Sequence, residues 1–181
     1  MKKSLLLFLL ATTLLFSQSK ESRIEKIGDY VQLAIPATAW ITTLAIGDTQ
    51  GQYDFYKSFF STFATTHALK LTVKEERPDG SNDKSFPSGH TSASFQGATF
   101  IHLRYGMKYA AVAYVGATFV AWSRVYTDHH YTHDVVAGAL IGSGFSWYFT
   151  EPYKVKNVEV MPVVFNSIDN KQNIYGLKIT W

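Results

Sequence analysis

The sequence predicts an all-α domain of about five to six helices that ends in a β-hairpin. Three observations predict it. Between Tyr53 and Thr150, apolar and aromatic residues recur at helical spacing, in runs separated by clusters of turn formers. In the tail, Tyr175, Leu177, Ile179 and Trp181 alternate with Ile174, Gly176, Lys178 and Thr180, the period of a strand. A hydrophobic content of 46% over 181 residues gives one domain enough apolar surface for a core and excludes disorder as a description of the whole chain.

The elements follow in order. Lys2-Lys3, the apolar run Leu5 to Phe16 and the small-x-small triplet Ser17-Gln18-Ser19 have the form of a secretory signal peptide over residues 1–19. That run as a helix would span about 18 Å, short of a hydrocarbon core of about 30 Å. Lys20 to Ile27 reads as a polar lead-in helix. Tyr30 to Gly47 is apolar but carries Gln32 and Pro36, and Asp48 to Gln52 is turn chemistry. Tyr53 to Val73 places Phe55, Phe59, Phe60, Phe63 and Leu69 at helical spacing. Glu75 to Phe86 is polar and rich in turn formers. Helices follow over about Ser88 to Tyr105, broken at Gly106, then Met107 to Tyr126, then Tyr131 to Thr150, ended by Pro152. Residues 20–152 thus form the helical domain, and 153–181 a hairpin extension of it. Its strands flank a turn at Asn166 to Asn173, and the pair is expected to pack on the helices because a lone hairpin is marginal.

Charge and composition narrow the partners. A net charge of +3, with no basic stripe interleaved with aromatics, argues against nucleic acid. The absence of cysteine excludes disulfides and thiolate chemistry. Tyr109 to Trp122 is the cleanest apolar stretch and falls short of the roughly 20 residues a span needs. The mean hydropathy of −0.03 is low for a bundle of spanning helices, yet small and aromatic residues are plentiful on every helix. The expectation is an extracytoplasmic, periplasmic domain associated with a membrane or partly inserted in one.

Three separated segments hold residues whose chemistry is mutually consistent. In the stretch SFPSGHTSASF, Pro87 stops a preceding helix, and Ser88 and Gly89 offer neutral donors at a helix N-terminus, a ready anion site. The plainer reading makes Ser88 only an N-cap and His90 a surface residue. Lys70, Arg77 and Arg124 bring three cations from different segments, Arg with a planar fork that matches phosphate oxygens. His130 and Asp134 are spaced i,i+4, which on a helix puts both on one face. A carboxylate on one imidazole nitrogen fixes the tautomer and frees the other to attack. His90 supplies a second imidazole for proton transfer. A nucleophile, its orienting carboxylate, an acid and an oxyanion cradle make an inventory for phosphoryl transfer.

The compound pattern Lys-x6-Arg-Pro, then Pro-Ser-Gly-His, then Ser-Arg-x5-His-x3-Asp resembles the signature of the type 2 phosphatidic acid phosphatase superfamily. That group includes lipid phosphate phosphatases, bacterial class A acid phosphatases and vanadate-dependent haloperoxidases. All three motifs lie in order between Lys70 and Asp134. The resemblance implies a helical bundle with the site between helix ends and no metal or other cofactor. It implies His130 as the nucleophile that forms a phosphohistidine, Asp134 as its orienter and His90 as the acid for the leaving oxygen. Lys70, Arg77, Ser88, Gly89 and Arg124 would hold the phosphate. The implied activity is hydrolysis of a phosphomonoester or pyrophosphate on a membrane lipid: phosphatidic acid, phosphatidylglycerophosphate, a polyprenyl pyrophosphate or lipid A. A soluble, broad-specificity periplasmic acid phosphatase is the alternative. Three rivals stand beside it: a metal site on His129, His130, His133 and Asp134, a vanadate-dependent haloperoxidase, and a secreted binding domain with no activity.

Overall fold

The computed structural model describes residues 20–154 and the backbone of 159–166 and 173–180. The signal peptide expected over 1–19 lies outside the described residues. Five helices follow in order: α1 (Lys20–Ala45), α2 (Thr49–Val73), α3 (Gly89–Tyr105), α4 (Met107–Tyr126) and α5 (Thr132–Phe149). Two strands, β1 (Glu159–Asn166) and β2 (Asn173–Thr180), pair antiparallel from Glu159 opposite Thr180 to Asn166 opposite Asn173. Pro162 stays within β1, in register with Leu177. The expected packing of the hairpin on the helices concerns side chains outside the described set.

Two boundaries differ from the sequence expectation. The polar lead-in and the apolar segment after it are one helix, α1, with Pro36 inside it. The supposed turn at Asp48 to Gln52 is a helix start. Asp48 is the N-cap of α2, its carboxylate accepting from the Gly51 N–H at 3.0 Å, so turn-forming residues here serve as a cap. Between α3 and α4 the chain turns at Gly106, whose φ of 100° is open to glycine without strain.

The central helix is α3, which packs against all four others. That position explains its composition. A helix covered on every side has no polar face to show to water, so its Ser, Thr and Gln are buried and must be satisfied inside. The Gln96 amide donates to Ser58 Oγ at 2.8 Å, Thr66 Oγ1 donates to Ser92 Oγ at 3.1 Å, and Ser146 Oγ donates to the Gln96 carbonyl at 2.8 Å. Small residues also let the helices approach closely. A Cβ on Gly142 would run into the Ser92 carbonyl, and one on Gly138 would lie 2.5 Å from the Ser88 carbonyl. A Cβ on Gly97 would lie 2.9 Å from the Pro36 backbone. The apolar core, with Ala39, Phe55, Phe100, Ile101 and Ala110, gathers around the C-terminal half of α3, where Phe55 meets Phe100 edge-on at 5.3 Å.

At the end of α3 a buried Arg104 ties three segments. Its guanidinium pairs with Asp48, donating to Oδ2 at 2.8 Å, and reaches the Glu151 carbonyl at 2.7 Å. Tyr105 Oη donates to the same carboxylate at 2.9 Å. This polar clamp holds the α1–α2 junction and the chain after α5 to one end of α3, leaving the other end for the site. Among the described residues no helix is long and apolar enough to cross a membrane.

The α3–α5 contact is testable. Gly142→Ala puts a methyl against backbone atoms that cannot rotate away, an overpacking cost of about 1–3 kcal/mol. Thermal melting should fall by about 2–4 °C for each kcal/mol at this chain length. Gly144, two residues on with nothing within 4 Å of its Cβ position, is the control. Gly144→Ala should leave the melting temperature unchanged or raise it.

Candidate active site

Helix ends bring the chemistry together. Lys70 comes from the last turn of α2, and Arg77 from the loop after it. Gly89 and His90 open α3, and His130 stands just before α5. These five line one cleft of about 670 Å³. Asp134 lies behind His130, fully buried.

The Asp134 carboxylate organises this end. Its Oδ2 accepts from the Tyr131 N–H at 2.9 Å and from Ser85 Oγ at 2.5 Å, and lies 3.3 Å from His130 Nδ1. The i,i+4 spacing was expected to act through a shared helix face, and that is not the geometry. α5 begins at Thr132, so His130 precedes it. Asp134 reaches back to the helix start as an N-terminal acidic group does, and catches His130 on the way. The loop before it is held by the Arg124 carbonyl, which accepts from the His129 and His130 N–H groups at 3.0 and 3.1 Å. With Nδ1 turned to the carboxylate, His130 Nε2 is the nitrogen with a lone pair for the cleft. Burial pushes the His130 pKa down, helped by Lys70 and Arg77 and opposed by Asp134, so the imidazole is neutral at neutral pH.

The cations are placed unequally. Lys70 Nζ donates to the carbonyls of Lys84 at 2.8 Å and Ser85 at 3.1 Å, leaving a third N–H for the cleft. Burial and the nearby Arg77 push its pKa down to about 8. Arg77 lines the cleft with its Nε buried and without a hydrogen-bond partner, a donor that an anion would satisfy. Arg124 does not line the cleft. Its guanidinium is buried under α1, donating to Asp29 at 3.0 Å and to the Glu25 carbonyl at 2.7 Å. Donors remain free on both terminal nitrogens.

Ser88 and Gly89 are placed differently. Ser88 is the fully buried N-cap of α3 and accepts from the Thr91 N–H at 3.4 Å and from Thr91 Oγ1 at 3.0 Å. Its own N–H donates to the Asp134 carbonyl at 3.0 Å. The plainer cap reading therefore describes its present contacts, and it stands back from the cleft. Gly89 lies on the cleft. A Cβ there would meet only Lys70 Cε and Thr66 Cγ2, both at 3.8 Å, so protein packing does not require glycine at this position. His90 is partly exposed, with its Nε2 3.0 Å from Asp29 Oδ1.

His67 lines the aromatic part of the cleft, 4.1 Å from the Phe63 ring, and the histidines beside His130 are engaged elsewhere. His129 is held between Glu25 at 3.1 Å and the Thr127 carbonyl at 2.7 Å. His133 is exposed and lies 2.8 Å from Glu75. The group of possible metal ligands that converges among the described residues is Glu75, His133 and Asp134. It differs from the histidine set considered from sequence, in which His129 is tied to Glu25. Sequence reasoning missed two residues, Ser85 and Asp29. Ser85 sits two places before the Pro-Ser-Gly-His motif, where nothing distinguishes it from a loop serine. Asp29 is far from every motif.

The sequence pattern that defines the PAP2 superfamily matches residues 3–156, and the chain belongs to that family. The lipid A 4'-phosphatase of Helicobacter pylori is 27% identical over 169 residues, covering 87% of this chain and 84% of that protein. The lipid A 1-phosphatase of Porphyromonas gingivalis is 42% identical over 79 residues, and the match spans 42% of this chain but only 18% of that protein. The crystal structure of LpxE from Aquifex aeolicus superposes with a TM-score of 0.62 at 19% identity, covering 73% of this chain and 87% of that one, a likeness of fold.

Two binding measurements check the cradle. Sulfate is a tetrahedral dianion across the accessible pH range, so a change in its affinity reports the protein. Lys70 loses its charge as pH rises through about 8, and sulfate binding by calorimetry should weaken over that interval. Lys70→Arg should carry binding to higher pH, because guanidinium stays charged. Gly89→Ala should melt within a few degrees of wild type yet weaken sulfate by about tenfold or more, since its methyl would add bulk at the cleft beside Lys70.

Proposed function

We propose that this chain is a phosphatase that hydrolyses the phosphate ester of a membrane lipid through a phosphohistidine on His130. The observation that carries the lipid reading is the continuation of the charged site into an aromatic cleft. Lys70, Arg77, His90 and His130 stand at one end, and Trp40, Phe55, Tyr56, Phe59, Phe60 and Phe63 line the walls between α1 and α2. A phosphate at the polar end would lead an acyl chain along the apolar one. Large exposed apolar residues add to this: Leu33 and Phe60 at the cleft, and Val112, Val115, Leu140, Trp147 and Tyr148 on α4 and α5. Such a surface suits contact with a bilayer. The names of the matched relatives, lipid A 4'-phosphatase and lipid A 1-phosphatase, point to the same class of substrate.

The proposed reaction uses these groups in turn. Arg77, Lys70 and the Gly89 N–H would hold the phosphate oxygens at the cleft, with Arg124 adding its charge from beneath α1, and Ser88 would support the turn that presents Gly89. His130 Nε2 attacks phosphorus as the ester P–O bond breaks, and His90 gives a proton to the leaving oxygen. Water then loses a proton to His90 and attacks the phosphohistidine. The P–N bond breaks, and phosphate leaves. No step calls for a metal. The mature protein would work outside the cytoplasm, at a membrane face.

Two measurements test this. Rates on a long-chain lipid phosphate in mixed micelles should exceed those on a short-chain phosphate ester by about tenfold or more in kcat/KM. Phe60→Asp, on an exposed cleft wall, should erase that preference while sparing the short ester. Equal rates with no effect of Phe60→Asp would favour the broad-specificity acid phosphatase. Enzyme given labelled substrate and quenched in alkaline detergent should carry base-stable, acid-labile label, absent from His130→Ala. Label that persists in His130→Ala would move the nucleophile to another residue.

A further inference from the structure

The geometry points to Asp29 as a positioning residue that orients His90 and supports its protonated form, so that the site holds two imidazole–carboxylate pairs. The inference rests on the proposed phosphatase reading and assigns a role that no motif carries.

The placement of Asp29 is built. Asp29 Oδ1 lies 3.0 Å from His90 Nε2 and accepts from Arg124 Nη1 at 3.0 Å. One carboxylate oxygen thus joins the acid on α3 to a cradle cation on α4. The turn of α1 that carries it is pinned at two further points. Arg124 Nη2 donates to the Glu25 carbonyl at 2.7 Å. Gly28, one residue before Asp29, is buried, and a Cβ on it would lie 2.5 Å from Ser123 Oγ and 2.6 Å from Arg124 Nη2. A methyl there would have to displace the Ser123 and Arg124 side chains on which α1 rests. Asp29 is half exposed, but its backbone is not free to wander.

The chemistry needs such a group. His90 must carry a proton to release an alkoxide, and its surroundings oppose that. Burial pushes its pKa down, Arg124 adds to this, and Asp29 is the neighbour that acts in the other direction. With Nε2–H committed to Asp29, Nδ1 is the nitrogen left to give its proton to the leaving oxygen and later to take one from water. Asp134 does for His130 what Asp29 does for His90. The outcomes differ because His130 faces phosphorus with its lone pair, while His90 faces an oxygen that must gain a proton.

The test uses two substrates and a cycle. Asp29→Asn keeps an acceptor for the Nε2–H and removes the charge. It should lower kcat on an alkyl or lipid phosphate by about tenfold or more, within the range general acids supply. It should change kcat on an aryl phosphate, whose leaving group needs no proton, by less than about threefold. In a His90→Ala background, Asp29→Asn should have no further effect on the alkyl-to-aryl ratio. Equal loss on both substrates, an unchanged alkyl rate, or an undiminished effect without His90 would each overturn the inference. Each of those results leaves the phosphatase reading standing. If the wild type hydrolyses neither substrate, the reading falls and the inference with it.

Discussion

Everything at the working end of this protein depends on how one buried carboxylate is satisfied. Asp134 is fully buried, and a carboxylate there is tolerable only if donors surround it. They come from three directions: the Tyr131 N–H from the start of its own helix, Ser85 Oγ from the loop that crosses the site, and the His130 imidazole. Its backbone joins in as well, with the Asp134 carbonyl accepting from the Ser88 N–H at the cap of α3. Meeting the needs of one group therefore sets the register of α5 against α3, draws the loop over the cleft and fixes the tautomer of the neighbouring imidazole. Oδ1 is left with no hydrogen bond, on the side of the group toward His133 and Glu75.

The central helix carries that arrangement through the molecule. α3 begins at the cleft and carries Arg104 in its last turn, about 22 Å away at 1.5 Å per residue. At one end it offers N–H donors and a positive dipole, which suits an anion. At the other, its last turn feeds a buried Arg104 into Asp48. Both ends spend polar groups on fixing helices in place, so the middle must be small and closely packed rather than greasy. That is why a chain of low mean hydropathy can still present large apolar residues outward on α4 and α5. The interior is stabilised by hydrogen bonds and close contact, and apolar area is left for the surface.

What the sequence disclosed follows the same division. Helices with clear punctuation were legible: Gly106 marks the α3–α4 break, and the Met107–Tyr126 helix has the expected limits. The first helix was not, because the change from polar to apolar composition near Gly28 and Asp29 reads as a boundary, while the structure runs one helix through it and through Pro36. Asp48 read as turn chemistry because caps and turns use the same residues. At the site, Lys70, Arg77, Gly89, His90 and His130 from the three motifs line one cleft, while Ser88, Arg124 and Asp134 stand behind it. The geometry of the His130–Asp134 pair was not legible, because a spacing of four is shared by a helix face and by a helix start. Ser85 and Asp29 were invisible for a different reason. Each acts only through contacts made by the folded chain, and neither side chain carries a local signal.

The charge balance of the cleft gives these contacts a common logic. Lys70 and Arg77 push the His130 pKa down after burial, and Arg124 does the same to His90. In the proposed reaction, a phosphate dianion would offset those cations and favour protonation of both imidazoles. For His90 this is useful, because the proton is the reagent and the field of the substrate would help to load it. For His130 it would be harmful, except that the nitrogen able to take the proton is the one pressed against phosphorus. The two histidines can share one electrostatic environment and still do opposite things, because the carboxylates behind them decide which nitrogen faces the substrate. Asp134 achieves this from inside the fold, on a helix that cannot shift without losing its cap. Asp29 achieves it from α1, the helix that also forms one wall of the aromatic cleft.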